Sequence, residues 1–169
     1  MAERIFLIGF MGTGKTTVGE SLARELQLPL FDIDHEIVKR EGRTIPEIFA
    51  TNGEAYFRRV ESEVLLELSE SAHAVITTGG GAVLAPGNRE LMGKSGFVVC
   101  LAATVEEIVS RVSGDPNRPL LQSDDLRQRV IQLQEARAGL YDFAHVTLDT
   151  TGRSVDGIVG EIIMKLSAS

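Results

Sequence analysis

Ile5-Phe6-Leu7-Ile8-Gly9-Phe10-Met11-Gly12-Thr13-Gly14-Lys15-Thr16 spells out an apolar run, a glycine-rich turn and a helix start in direct succession. Its first four residues form a short apolar run that predicts a buried parallel strand, and Thr17 to Gln27 predicts a helix after it. Between them Gly9 to Thr16 match the phosphate-loop pattern G-x-x-x-x-G-K-[ST] without a mismatch. Gly9 and Gly14 permit the tight backbone path that turns successive N–H groups toward phosphate oxygens. Lys15 brings a point charge to the β- and γ-phosphates, and the Thr16 hydroxyl is a candidate magnesium ligand. A strand, a glycine loop and a helix N-terminus in this order make an anion site. These features imply nucleotide binding.

Further along, four more strand candidates alternate with helical stretches: Leu30 to Ile33, Ala74 to Thr78, Phe97 to Leu101 and His145 to Asp149. Such alternation predicts an α/β fold, a five-stranded parallel sheet covered by helices on both faces. Ligands in such sheets gather at the carboxyl ends of the strands. Residues 33–71 form a helical insertion; Thr44-Ile45-Pro46-Glu47 reads as a capping box, and Gly53 to Ser69 as a further helix. Residues 113–124 contain two prolines and a glycine and read as a lid.

The 169 residues suit a single domain, 1–169, with 43% hydrophobic content. The N-terminus does not read as a secretory signal, and no run approaches a membrane span. Cys100 lies alone in an apolar run, and His35, His73 and His145 lack zinc spacing. The expectation is a cytoplasmic protein. A net charge of −7 argues against nucleic acid as a partner and makes any phosphate site a local basic cluster. Arginines make up 13 of the 17 basic residues, which favours forked contacts to carboxylate and phosphate.

Several residues carry candidate chemistry. Asp32-Ile33-Asp34 closes the second strand, taken to neighbour the glycine loop, and strand alternation points both carboxylates one way. Asp32 is expected to hold magnesium through water, and Asp34 to orient an acceptor hydroxyl or take its proton; Asp34 as a helix cap is the plainer reading. Arg58 and Glu61, three positions apart beside the stripe Phe57, Val60, Val64 and Leu68, form either a surface ion pair or an oriented guanidinium with a free edge. Arg137 falls on the stripe Leu126, Val130, Leu133 and Leu140 and needs a partner, an anionic ligand or a buried carboxylate. Gly79-Gly80-Gly81 after the third strand lets backbone amides approach a ligand, or is merely a turn. Many phosphate-loop nucleotidases place an acid at the end of this strand; none stands here, so Asp32 must supply that charge. In the lid, Arg118 is a candidate in-cis arginine finger, while Arg111 and Arg153 suit an adenine face.

In combination, Gly9 to Thr16, Asp32-Ile33-Asp34, Phe57-Arg58-Arg59-Val60-Glu61, Gly79-Gly80-Gly81-Ala82-Val83, Arg118-Pro119-Leu120-Leu121 and Arg137-Ala138-Gly139-Leu140-Tyr141 are similar to the shikimate kinase family, from Arg4 to about Ile163. The resemblance implies a three-layer, nucleoside monophosphate kinase-like P-loop fold with strand order 2-3-1-4-5. It also implies ATP- and Mg2+-dependent phosphorylation of the 3-hydroxyl of shikimate, in chorismate and aromatic amino-acid biosynthesis. Position by position, it assigns Asp34, Arg58, Gly80, Gly81 and Arg137 to shikimate. Gly12, Thr13, Gly14, Lys15, Thr16, Thr17, Arg111, Arg118 and Arg153 go to the nucleotide, and Thr16 and Asp32 to the metal. Lys15, Asp34 and Arg118 are the catalytic candidates. The missing acid after the third strand is itself a trait of the family. The expected unit is a monomer whose partners are ATP and shikimate, with no nucleic acid or membrane. The alternatives are another small-acceptor kinase such as gluconate kinase, and a non-catalytic nucleotide-binding module.

Overall fold

The computed structural model describes residues 4–71, 73–113 and 123–169, the side chains of 123 and 124 excepted. β1 (Arg4–Gly9) is followed by α1 (Lys15–Leu26), β2 (Leu30–Asp32) and three helices, α2 (Ile33–Glu41), α3 (Ile45–Asn52) and α4 (Glu54–Ser71). β3 (Ala74–Thr77), a 3-10 turn (Ala82–Leu84), α5 (Pro86–Ser95) and β4 (Phe97–Ala102) come next. α6 (Val105–Ser113), α7 (Ser123–Ala136), β5 (Val146–Asp149) and α8 (Val155–Ser167) complete the described elements.

All five strands run parallel in the order β2-β3-β1-β4-β5. This is the expected three-layer α/β fold and the order the resemblance implies. The alternation of β1 explains the layers. Phe6 and Ile8 face a core shared with Ile37 of α2, Ile48 of α3, Phe57, Val60 and Val64 of α4 and Met92 of α5. Ile5 and Leu7 face the opposite core, built with Val18 and Leu22 of α1 and Ile158 and Ile162 of α8. Burying each such side chain contributes about 1.5–3 kcal/mol before entropy is subtracted. A third, smaller cluster joins Phe10 to Ile108 and Val112 of α6 and Leu126 and Val130 of α7.

The insertion is three helices whose ends are written locally. Thr44 accepts the Glu47 N–H at 3.2 Å, as its capping role predicts, and Pro46 sits in the first turn of α3. Gly53 closes α3 rather than opening the next helix, which begins at Glu54. The predicted stripe of α4 is correct, with Phe57, Val60 and Val64 buried and Leu68 packed against them.

Three expectations are corrected. Ile33 is not in β2: it is the first residue of α2, because Asp32 caps that helix and ends the strand. β2 is not the neighbour of β1, since β3 lies between them. Leu140 is not on the helical stripe: α7 ends at Ala136 and Leu140 packs in the core of Phe6 and Ile8, whereas Arg137, whose N–H still bonds the Leu133 carbonyl at 3.1 Å, stays beside Leu126 and Val130 against Phe10. Among the described residues no helix is long and apolar enough to cross a membrane.

Candidate active site

The phosphate loop has the geometry its glycines demand. Gly14, at φ 99°, forms the left-handed entry to α1 and lets the helix start with no side-chain cap. The first turn of α1 contains no acidic residue, so its free N–H groups and positive end face the cavity unopposed. The Lys15 ammonium folds back onto the loop and donates to the carbonyls of Gly9 and Phe10, the latter at 3.0 Å. Burial pulls its pKa down from 10.5 to about 8, against the attraction of Asp34 and Asp32.

A cavity of about 320 Å³ lies over the carboxyl ends of β1, β2 and β3. Gly12 to Thr17 line one side, and Asp32, Asp34, Thr78, Gly79 and Gly80 line another. Both carboxylates therefore reach the same cavity, though not by strand alternation. Asp32 accepts the His35 N–H at 3.0 Å through one oxygen and the Thr77 hydroxyl at 2.9 Å through the other. Asp32, not Asp34, is the helix cap. Asp34 sits in the first turn of α2 without that duty, and its pKa is raised by burial first and then by the neighbouring Asp32. A carboxylate with a raised pKa is a better proton acceptor than an exposed one.

Three consecutive glycines meet three charged side chains. A Cβ on Gly79 would stand 3.1 Å from an Asp34 oxygen, and one on Gly80 would stand 3.1 Å from Nη1 of Arg137. On Gly81 it would lie 2.6 Å from Cζ of Arg58. Asp34, Arg137 and Arg58 thus converge on one bend of backbone, although the two arginines lie outside the lining of the 320 Å³ cavity itself. Arg137 donates to the Gly80 carbonyl at 3.1 Å and stacks on the Phe10 ring at 5.5 Å. Among the described residues no carboxylate forms an ion pair with it, so the protein itself does not supply the buried-carboxylate partner.

The Arg58–Glu61 pair is not a surface pair. Glu61 is only 1% exposed and accepts from Arg58 Nη1 at 3.0 Å. Burial raises the pKa of Glu61, and the guanidinium of Arg58 opposes that rise. Glu61 therefore orients Arg58 from below, with Glu54 3.6 Å from its Nε, and the Nη groups stand against Gly81.

On the nucleotide side, Arg111 donates to the Gly12 carbonyl at 2.8 Å and pairs with Glu107 at 3.0 Å. A second hollow, of about 230 Å³, is lined by Thr13, Gly14, Thr17, Arg111, Thr150 and Val155 and suits a purine beside the loop. Arg153 pairs with Glu161 at 3.0 Å and does not line this hollow. Arg118 and most of the lid, 114–122, lie outside the described residues. Among the described residues no group of three or more His, Cys, Asp or Glu suits a metal ion. Thr16, Asp32 and Asp34 share the cavity, a donor set that fits magnesium held by water, phosphate and a single hydroxyl.

Two contributors escaped the sequence reading. Thr150, 2% exposed, donates to the Thr13 carbonyl at 2.9 Å and receives Arg111, tying the end of β5 to the phosphate loop. Thr77 fixes Asp32 across the sheet. Their only signal was a threonine just past, or ending, a strand.

The sequence profile of the shikimate kinase family matches residues 11–167. A shikimate kinase of Burkholderia pseudomallei (strain 1710b) is 45% identical over 163 residues, covering 96% of this chain and 89% of that protein. The solved structure of shikimate kinase from Acinetobacter baumannii in complex with shikimate is 40% identical, with a TM-score of 0.89 over 98% of this chain and 93% of that one. A gluconokinase from Sinorhizobium meliloti 1021 covers 98% of this chain and 91% of that one with a TM-score of 0.58 at 19% identity, a likeness of fold alone. With the family profile spanning most of the chain and relatives 40–45% identical along nearly its whole length, this chain belongs to the shikimate kinase family.

Proposed function

We infer that the protein is an ATP-dependent kinase that transfers the γ-phosphoryl group to the 3-hydroxyl of shikimate, giving shikimate 3-phosphate and ADP. The observation that carries this reading is the convergence of Asp34, Arg137 and Arg58 on Gly79, Gly80 and Gly81 beside the phosphate loop. Shikimate presents one carboxylate and three hydroxyls. Two guanidiniums suit the carboxylate, and Asp34 suits the reacting hydroxyl. Among the described residues the amides of Gly79, Gly80 and Gly81 have no protein acceptor and are free to meet the ring.

Each residue then has a task. The loop amides and Lys15 hold the β- and γ-phosphates, with Thr16 and Asp32 the groups that hold magnesium beside them. Magnesium supplies positive charge to the phosphate oxygens when bound. Asp34 orients the 3-hydroxyl and receives its proton as oxygen attacks phosphorus. Arg58 and Arg137 fix the acceptor, so positioning and charge stabilisation carry the rate. Arg111 borders the adenine, with Arg153 nearby in sequence beyond β5. Arg118 supplies charge to the transferring group on lid closure. The working unit is one domain, 1–169, with the acceptor insertion at 33–71 and the lid at 113–124, acting as a cytoplasmic monomer without nucleic-acid or membrane partners.

Gluconate kinase shares the fold but has no reason to place two arginines for a ring carboxylate. A panel of acceptors in a coupled ADP-release assay separates the two. Turnover with shikimate and none with gluconate is expected; the reverse would overturn the assignment, and ATP binding with no acceptor-dependent turnover would favour a non-catalytic module.

A further inference from the structure

Phe10 is the first variable residue of the phosphate loop, a position at which the loop pattern specifies no side chain. Here it is 4% exposed and serves three neighbours at once. Its ring lies 5.5 Å from Cζ of Arg137. The ring also packs with Ile108 and Val112 of α6 and Leu126 and Val130 of α7, the helix that leads into Arg137. Its carbonyl accepts the Lys15 ammonium at 3.0 Å and the Thr13 hydroxyl at 2.7 Å. Arg137 is anchored by the Gly80 carbonyl, by this ring and by a side-chain hydrogen bond with Tyr141, and has no carboxylate partner among the described residues. A guanidinium flanked by a ring face, one carbonyl and one hydroxyl is held in a plane while keeping its remaining N–H groups for a ligand.

We propose that Phe10 is a positioning residue for acceptor binding: its ring sets the plane of Arg137, and its carbonyl ties that ring to Lys15 of the donor site. The proposal rests on the reading of Arg137 as a clamp on the acceptor carboxylate, and the test keeps the two apart. Shikimate affinity is measured by calorimetry for the wild type, Phe10→Leu, Phe10→Tyr, Arg137→Met and the double variant Phe10→Leu/Arg137→Met.

Removing the ring should weaken shikimate binding about three- to tenfold, the range set by a partly desolvated cation–π contact. Phe10→Tyr, which keeps the ring, should stay within about twofold of the wild type. In the Arg137→Met background, Phe10→Leu should produce no further loss. An equal loss in both backgrounds would reduce Phe10 to core packing and overturn the proposal, as would an unchanged affinity in Phe10→Leu alone. If Arg137→Met itself leaves shikimate affinity intact, the clamp reading fails and the proposal falls with it. Should Phe10→Leu not fold, Phe10→Met removes the ring at closer volume, and the same criteria apply.

Discussion

Lys15 should gain a proton when ATP binds. Without ligand its ammonium is half-buried against the loop carbonyls, and desolvation lowers its pKa to about 8. At pH 8 about half of the free protein therefore has a neutral Lys15, and at pH 9 about nine-tenths. The β- and γ-phosphates bring several negative charges to that nitrogen and restore the charged form. Binding should thus take up about half a proton at pH 8, and ATP affinity should fall about tenfold between pH 7 and pH 9. In the unfolded chain this lysine keeps its proton to 10.5, so between 8 and 10.5 the ligand-free folded state binds fewer protons and gains stability from this group as pH rises. Titrating a non-hydrolysable ATP analogue with magnesium, in buffers of different ionisation enthalpy, reads the proton count directly. Lys15→Arg, charged throughout, should show no uptake from this position. A wild-type affinity independent of pH across this window, with no proton uptake, would refute the reasoning.

Other perturbations act on the acceptor side. Asp34→Asn should cut kcat by at least about 100-fold, the scale of a positioned proton acceptor, in steady-state assays. Because burial and Asp32 raise the Asp34 pKa, kcat/KM should fall as pH is lowered through a value above 3.8, and the missing limb in Asp34→Asn checks the assignment. Gly81→Ala places a methyl group against the Arg58 guanidinium and should raise the shikimate KM at least about tenfold while leaving ATP affinity measured by calorimetry largely intact. Glu61→Gln removes the buried partner of Arg58 and should cost about 1–2 kcal/mol in urea unfolding, less than a fully buried pair because Arg58 is 28% exposed.

The layered sheet was legible because strand and helix periods alternate cleanly, and because Gly9 to Thr16 tie one junction to a known geometry. Strand ends were less so. Asp32-Ile33-Asp34 reads equally as extended chain or as a capped helix start, and the Thr77 hydroxyl that helps to fix Asp32 lies 45 positions away. No local pattern orders β2 and β3, because their placement depends on pairing across the insertion; the family resemblance supplied the order. Arg58 and Arg137 could each be picked out as oriented cations, but their meeting at Gly80 and Gly81 is a product of tertiary contact. Spacing left Arg58 and Glu61 open between a surface pair and an oriented guanidinium, because it reports neighbours, not depth. Thr150 offered only its place just past a strand, since its hydroxyl works on backbone 137 residues away.

The central claim is that the donor loop is coupled to a site that reads the acceptor's carboxylate with Arg137 and Arg58. It is tested most directly by comparing kcat/KM for shikimate and for its neutral methyl ester in the wild type and in Arg137→Ala. The wild type should prefer the free acid by at least about 100-fold, and Arg137→Ala should lose most of that preference while still binding ATP. A preference equally strong in both proteins would contradict the account.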